Sequence, residues 1–90
     1  MNLIRIEGIG DRMTGTTREG RPYDFIPLHV SYEDRRVHGR KVAEVAVDPA
    51  DMQRIAPTLG EEFTVNLTTF KGRTRIDAWV CRGVLAVDLL

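Results

Sequence analysis

The chain has 90 residues, of which 42% are hydrophobic, and its thirteen basic and thirteen acidic residues leave it without net charge. This length predicts one domain, residues 1–90, with enough apolar side chains for a core. The single cysteine, Cys81, excludes an internal disulfide framework, no apolar run approaches the roughly 20 residues of a membrane-spanning helix, and the first residues lack the order of a signal peptide. We therefore expect a soluble, intracellular protein.

Apolar and polar residues alternate along short segments, which predicts a β-rich fold. Residues 3–9 are predicted as a first strand, 11–20 as a polar loop, 23–32 as a second strand and 36–47 as a third. A fourth strand is predicted at 63–70, a turn at 71–73, and a fifth strand at 74–87 with a break at Gly83.

A short helix is predicted between the third and fourth strands. Asp48 is a favoured N-cap residue, Pro49 suits the first helical position, and Met52 and Ile55 share one face. Three strands, a helix and two strands form the element order of a five-stranded OB-type barrel, an all-β fold. An SH3-like barrel or a small open meander would give nearly the same pattern.

Residues 18–25 combine cations and aromatic rings after a turn signal. In a strand, Arg21, Tyr23 and Phe25 would lie on one face, and Ile26, Leu28, Val30 and Tyr32 on the other. Guanidinium groups for phosphates and rings for unpaired bases are typical of proteins that bind single strands with little sequence preference. The alternative is that the two rings are half-buried packing residues and that the arginine is merely solvated.

The charge distribution adds to this hypothesis, although a neutral total at first argues against a polyanion partner. Segments 12–41 and 71–82 hold eleven of the thirteen cations and five of the acids, so they carry +6 and the remaining residues −6. If the two segments are neighbours in space, we expect a basic face. Otherwise the cations form ordinary surface pairs, as Arg35 and Arg36 would with Glu33 and Asp34.

Two passages carry a resemblance to a known family. Residues 18–23, Arg-Glu-Gly-Arg-Pro-Tyr, and residues 63–71, Phe-Thr-Val-Asn-Leu-Thr-Thr-Phe-Lys, are similar to Arg-Gln-Gly-Lys-Pro-Tyr and Tyr-Thr-Val-His-Leu-Ser-Ser-Phe-Lys of the gene-five proteins. These are the single-stranded DNA-binding, helix-destabilising proteins of filamentous bacteriophages. Counted on from Phe70 without a gap, Arg82 falls where the family has an arginine in its last strand. The likeness covers roughly half of the chain.

The resemblance implies an OB-type fold and a symmetric homodimer built around the hairpin of the last two strands. It also implies cooperative coating of phage single-stranded DNA in the bacterial cytoplasm, which protects the genome during replication and holds it for virion assembly; some members also repress phage messages. Arg18, Arg21 and Arg82 would contact phosphates, and Tyr23 would stack on a base. We add Phe25 as a second ring and Lys71, Arg73 and Arg75 as further cations.

Three positions depart from the family pattern. Arg75 stands where the family has an exposed aromatic near the hairpin tip. Ser31 occupies the place of a second family tyrosine, and the nearest ring is Tyr32. A basic residue of the family's third strand falls near Glu44, with Lys41 three residues away, and the sequence leaves open which of the two is equivalent.

No catalytic or metal-binding pattern is present, since His29, His38 and Cys81 lack ligand spacing. We expect no enzyme activity, no cofactor and no metal. Alternation places Trp79 and Ile76 on opposite faces of the fifth strand. Trp79 is predicted to pack in the core or in a dimer interface rather than to stack on a base. The apolar C-terminal segment, residues 84–90, favours self-association. The rival hypothesis is a small β-barrel that binds another protein through its apolar last strand, with its arginines solvated.

Overall fold

The computed structural model describes residues 1–84, which form six strands and one helix. The strands are β1 (Asn2–Ile9), β2 (Met13–Thr16), β3 (Pro22–Glu33), β4 (Arg40–Val47), β5 (Glu62–Phe70) and β6 (Arg73–Arg82), and the helix α1 (Pro49–Ile55) lies between β4 and β5. In this part of the chain no helix has the length and apolar character needed to span a membrane.

Five of the strands close into a barrel. β1 pairs antiparallel with both β3 and β5, β3 pairs with β4, and β5 pairs with β6. The barrel is completed by a short parallel pairing of β4 with β6, in which Val45 lies opposite Thr74. A closed five-stranded barrel with one helix between its third and fourth strands is an OB-type barrel, so the predicted fold class is confirmed.

The core lies inside the barrel and is built from alternate residues of four strands. Because successive strand side chains point to opposite faces, every second residue faces inward. The buried apolar residues are Ile4, Ile6, Leu28, Val30, Tyr32, Val45, Val47, Phe63 and Val65. The alternation predicted for Leu28, Val30 and Tyr32 is therefore confirmed.

The helix begins as its sequence predicts. The Asp48 carboxylate accepts a hydrogen bond from the Ala50 amide at 2.8 Å, and Pro49 occupies the first turn. Ala56 ends the helix in a left-handed conformation, with φ of 49°. Met52 and Ile55 are partly buried and pack against the core.

Two boundaries differ from the prediction. Residues 13–16, predicted as part of a polar loop, form β2, because their backbone pairs with residues 22–25 of β3 in a hairpin. Residues 36–39, predicted as the start of the third strand, belong to a turn instead. There Asp34 accepts hydrogen bonds from the Arg36 amide through its side chain and from the Val37 amide through its carbonyl.

Strict alternation is wrong for β6, which was predicted to place Ile76 and Trp79 on opposite faces. Asp77 has no partner in the pairing with β5, because Asn66 lies opposite Ala78 and Leu67 opposite Ile76. This bulge shifts the alternation, so both Ile76 and Trp79 pack against the core. The Trp79 ring meets that of Phe63 edge-on at 5.1 Å between centroids. β6 ends at Arg82, before the bend at Gly83, and the remainder of the predicted strand and of the apolar C-terminal segment lies outside the described residues.

Candidate nucleic-acid interface

A cleft of about 940 Å³ lies between the β2–β3 hairpin, the outer side of β4 and the β5–β6 turn. Tyr23 and Phe25 line it from β3, and Arg73 lines it from the start of β6. Arg73 is 48 or more positions from the two aromatic residues in sequence. The parallel contact of β4 with β6 brings all three residues to one opening. The cleft therefore combines two aromatic rings with a guanidinium group.

The two rings of the cleft lie on one face, as predicted from their alternation. The ring centroids of Tyr23 and Phe25 are 6.0 Å apart and their planes meet at 47°. Tyr23 lies directly opposite Gly15 of β2, and its ring crosses the glycine so closely that a Cβ there would sit 2.4 Å from the phenolic oxygen. The tyrosine remains 38% exposed, so part of the side chain stays accessible to a ligand.

Arg18 and Arg21 lie in the turn that joins β2 to β3. The prediction that Arg21 shares a strand face with Tyr23 and Phe25 is therefore wrong, because β3 begins only at Pro22. Thr17 shapes this turn: its amide donates to the Arg21 carbonyl at 2.8 Å, and its hydroxyl accepts from the Arg21 amide at 3.1 Å. Thr17 also lines the cleft, which places the turn at its rim. Both arginines are exposed, and neither forms an ion pair within residues 1–84.

The β5–β6 turn supplies three further cations. Lys71 and Gly72 both have positive φ, 52° and 77°, which is the tight reversal that a short hairpin needs. Arg73 lines the cleft, and Arg75 lines an adjoining groove together with Phe25. Among the described residues neither arginine has an ion-pair partner.

Acidic side chains interrupt this basic surface. Asp24 lines both the cleft and the groove, and Arg12 donates to its two carboxylate oxygens at 2.7 and 2.5 Å. These hydrogen bonds from Arg12 lower the pKa of Asp24. Glu44 also lines the cleft and has no cationic partner in the part of the chain that the structure describes. The site is therefore mixed in charge rather than uniformly basic.

The two basic segments meet only in part. Thr17 and residues 23–25 share the cleft with residues 72–74, whereas Arg35 and Arg36 lie in the turn after β3. Since a strand rises about 3.3 Å per residue, that turn lies on the order of 30 Å from Tyr23 along β3. Arg36 and Lys41 both lie against Asp34, with N to O distances of 3.4 and 3.9 Å. The surface-pair alternative is therefore confirmed for Arg36 with Asp34, whereas Arg35 and Glu33 form no ion pair within residues 1–84.

Arg82 lies apart from the other predicted contacts. Its guanidinium donates to the Glu61 carboxylate and to the Ile55 carbonyl at the end of α1, and it lies 5.0 Å from the centroid of the Phe63 ring. The hydrogen bond from Arg82 is the main cause that lowers the pKa of Glu61. The structure thus gives Arg82 a role in joining the helix to the barrel, while its phosphate contact stays a prediction.

The positions that depart from the family pattern have definite places. Glu44 lines the cleft and Lys41 does not. Ser31 is buried, and its hydroxyl donates to Glu7 at 2.5 Å and accepts from Arg40 at 2.9 Å. The hydrogen bond from Ser31 is the main cause that lowers the pKa of Glu7. Tyr32 belongs to the core. Neither Ser31 nor Tyr32 can therefore replace the second family tyrosine in this cleft.

Phe70 is the residue that sequence reasoning missed. It was treated as the end of a strand, yet its side chain is 70% exposed beside the β5–β6 turn. The clue available in the sequence was its position directly before the Lys71–Gly72 turn, at the tip of the hairpin.

Within residues 1–84 no group of three His, Cys, Asp or Glu side chains is placed to hold a metal ion. Cys81 is partly buried, with its sulfur 3.8 Å from the Gly83 carbonyl oxygen. Comparison of the chain with protein-family models, with curated proteins and with solved structures finds no significant match.

Proposed function

We propose that this protein binds single-stranded DNA with little sequence preference and catalyses no reaction. The observation that carries the proposal is the convergence of Tyr23, Phe25 and Arg73 on one cleft. Rings that stack on bases, combined with cations that follow the phosphates, are the two elements of sequence-tolerant single-strand recognition. OB-type barrels commonly use such a surface for oligonucleotides.

Each residue has a distinct role in this proposal. Tyr23 stacks on a base and Phe25 extends the stacking surface, while Arg18 and Arg21 at the rim contact phosphates. Lys71, Arg73 and Arg75 continue the cationic track along the β5–β6 turn. Arg82 contributes least, because a phosphate would have to replace its hydrogen bonds to Glu61 and Ile55.

The biological role follows from the family resemblance in residues 18–23 and 63–71. We infer that the protein coats phage single-stranded DNA cooperatively in the host cytoplasm during replication, and holds it for virion assembly. RNA offers the same phosphates and unpaired bases and is a secondary ligand. The proposed unit is a homodimer that associates through the β5–β6 hairpin at the end away from its turn, where Val80 and Val84 are 39% and 70% exposed.

Fluorescence anisotropy of a labelled oligonucleotide tests the proposal, with the matching duplex in parallel and several salt concentrations. We expect tight binding to the single strand and weak binding to the duplex. Each phosphate-contacting arginine replaced by alanine lowers the salt slope by up to about 0.7, and Tyr23→Ala weakens binding by about 1–3 kcal/mol. Arg54→Ala is the matched control, because Arg54 pairs with Asp51 on α1 at 3.0 Å and lies outside the cleft.

Absence of single-strand binding at low salt would contradict the proposal. The protein-interaction hypothesis would then take its place, with the apolar end of the last strand as the contact surface. Under that hypothesis Tyr23→Ala has no effect on partner binding or acts only through packing.

A further inference from the structure

The Phe70 ring is an exposed aromatic surface that the interior of the cleft does not use. It lies at the last position of β5 and is 70% exposed. Leu67, three residues earlier, packs against the core, so the alternation of the strand directs Phe70 to the outer face of the hairpin. A ring this exposed contributes little to the stability of the barrel.

Three cations share the hairpin tip with this ring. The Lys71 ammonium is 5.4 Å from the ring centroid, within the range of a cation–π contact. Arg73 lies directly opposite Phe70, and Arg75 lies opposite Thr68 two residues along the same face. Directly paired residues of antiparallel strands project to the same side, so the outer face of the hairpin tip carries one ring and two guanidinium groups beside the lysine.

We propose that Phe70 is a second stacking position for an unpaired nucleobase, with Lys71, Arg73 and Arg75 holding the phosphates on either side of it. This inference rests on the proposed function. Arg73 also lines the cleft that contains Tyr23, so one strand can pass from Tyr23 over Arg73 to Phe70. The hairpin tip thereby lengthens the binding track beyond the cleft.

The charge of the hairpin tip favours a polyanion over a second copy of the chain. Arg73 and Arg75 have no ion-pair partner within residues 1–84. A symmetric contact between two such tips would bring like charges together, which opposes association. A nucleic-acid strand instead supplies a phosphate for each cation and a flat base for the ring.

The affinity for a thymidine oligonucleotide tests this inference, with wild type, Phe70→Ala, Phe70→Leu and Phe70→Trp compared. Alanine is expected to lower the affinity about 5- to 150-fold, as measured for loss of one stacked ring. Leucine retains apolar volume without a flat ring and loses nearly as much, while tryptophan keeps wild-type affinity or exceeds it. In Phe70→Trp we also expect quenching of the new indole on saturation, beyond any change of Trp79 in the wild type.

Leu59→Ala is the matched control, because Leu59 is a similarly exposed apolar residue, at 67%, in the loop after α1. Sedimentation of each variant at the binding concentrations gives its oligomeric state. Wild-type affinity in Phe70→Ala with weakened binding in Tyr23→Ala would overturn this inference and leave the proposed function intact. A shift from dimer to monomer in Phe70→Ala would overturn it too, since the ring would then belong to an interface. Failure of the wild type to bind would overturn both proposals.

Discussion

Gly15→Ala separates the position of the Tyr23 ring from the stability of the barrel. A Cβ at residue 15 would lie 2.4 Å from the tyrosine oxygen and 2.7 Å from the adjoining ring carbon. Ordinary contacts between such atoms are about 3.5 Å, so the ring must move by about 1 Å or turn away from β2. Both close atoms are at the far end of a side chain that can rotate. The clash therefore moves the ring rather than the backbone.

We expect the affinity for single-stranded DNA to fall by about 1 kcal/mol, about fivefold, and by no more than in Tyr23→Ala. The melting temperature should stay level or rise slightly, because Gly15 does not have a positive φ and alanine restricts the unfolded chain. Anisotropy titration and thermal unfolding measure the two effects. Gly8→Ala is the control, since its Cβ would meet His29 at an ordinary 3.5 Å.

A double-mutant cycle gives the sharpest check on Gly15. In the Tyr23→Ala background there is no ring to displace, so Gly15→Ala should have almost no further effect on affinity. Two results would refute the reasoning: wild-type affinity in the single variant, or an equal loss of affinity in both backgrounds.

Three further outcomes are expected. Glu44 lines the cleft and has no ion-pair partner within residues 1–84, so Glu44→Lys should raise the affinity and steepen the salt slope by up to about 0.7. An unchanged slope would place Glu44 outside the path of the bound DNA strand. Arg82→Ala should lower the melting temperature more than Arg54→Ala, because it removes contacts to Glu61, Ile55 and Phe63. A large loss of DNA affinity with an unchanged melting temperature would instead support a phosphate contact by Arg82. The lowered pKa of Glu61 means that its stabilising contribution is fully present above the ordinary value of 4.5 and is lost as pH falls through the lowered value. Chemical unfolding across this acid range should therefore show a weaker pH dependence in Glu61→Gln, and an unchanged dependence would contradict the assignment.

The sequence by itself determined the features that depend on near neighbours in the chain. Alternation fixed the inward face of β3, since a period of two allows only one buried set. The Asp48–Pro49 pair fixed the start of α1 through a cap that involves only adjacent backbone. The order of strands and helix then predicted the OB-type barrel. Tyr23 and Phe25 were found because they alternate along a single strand, and Arg21 because it directly precedes that strand.

Only the tertiary structure decided which distant residues meet. β2 exists because β3 supplies its hydrogen-bonding partner, and the bulge at Asp77 depends on the pairing of β6 with β5. Likewise Arg73 reaches the cleft of Tyr23 through the closure of β4 against β6, while Arg82 is drawn to Glu61 and the end of α1. Sequence spacing carries no information about such contacts, because they are made across the barrel by strands far apart in the chain.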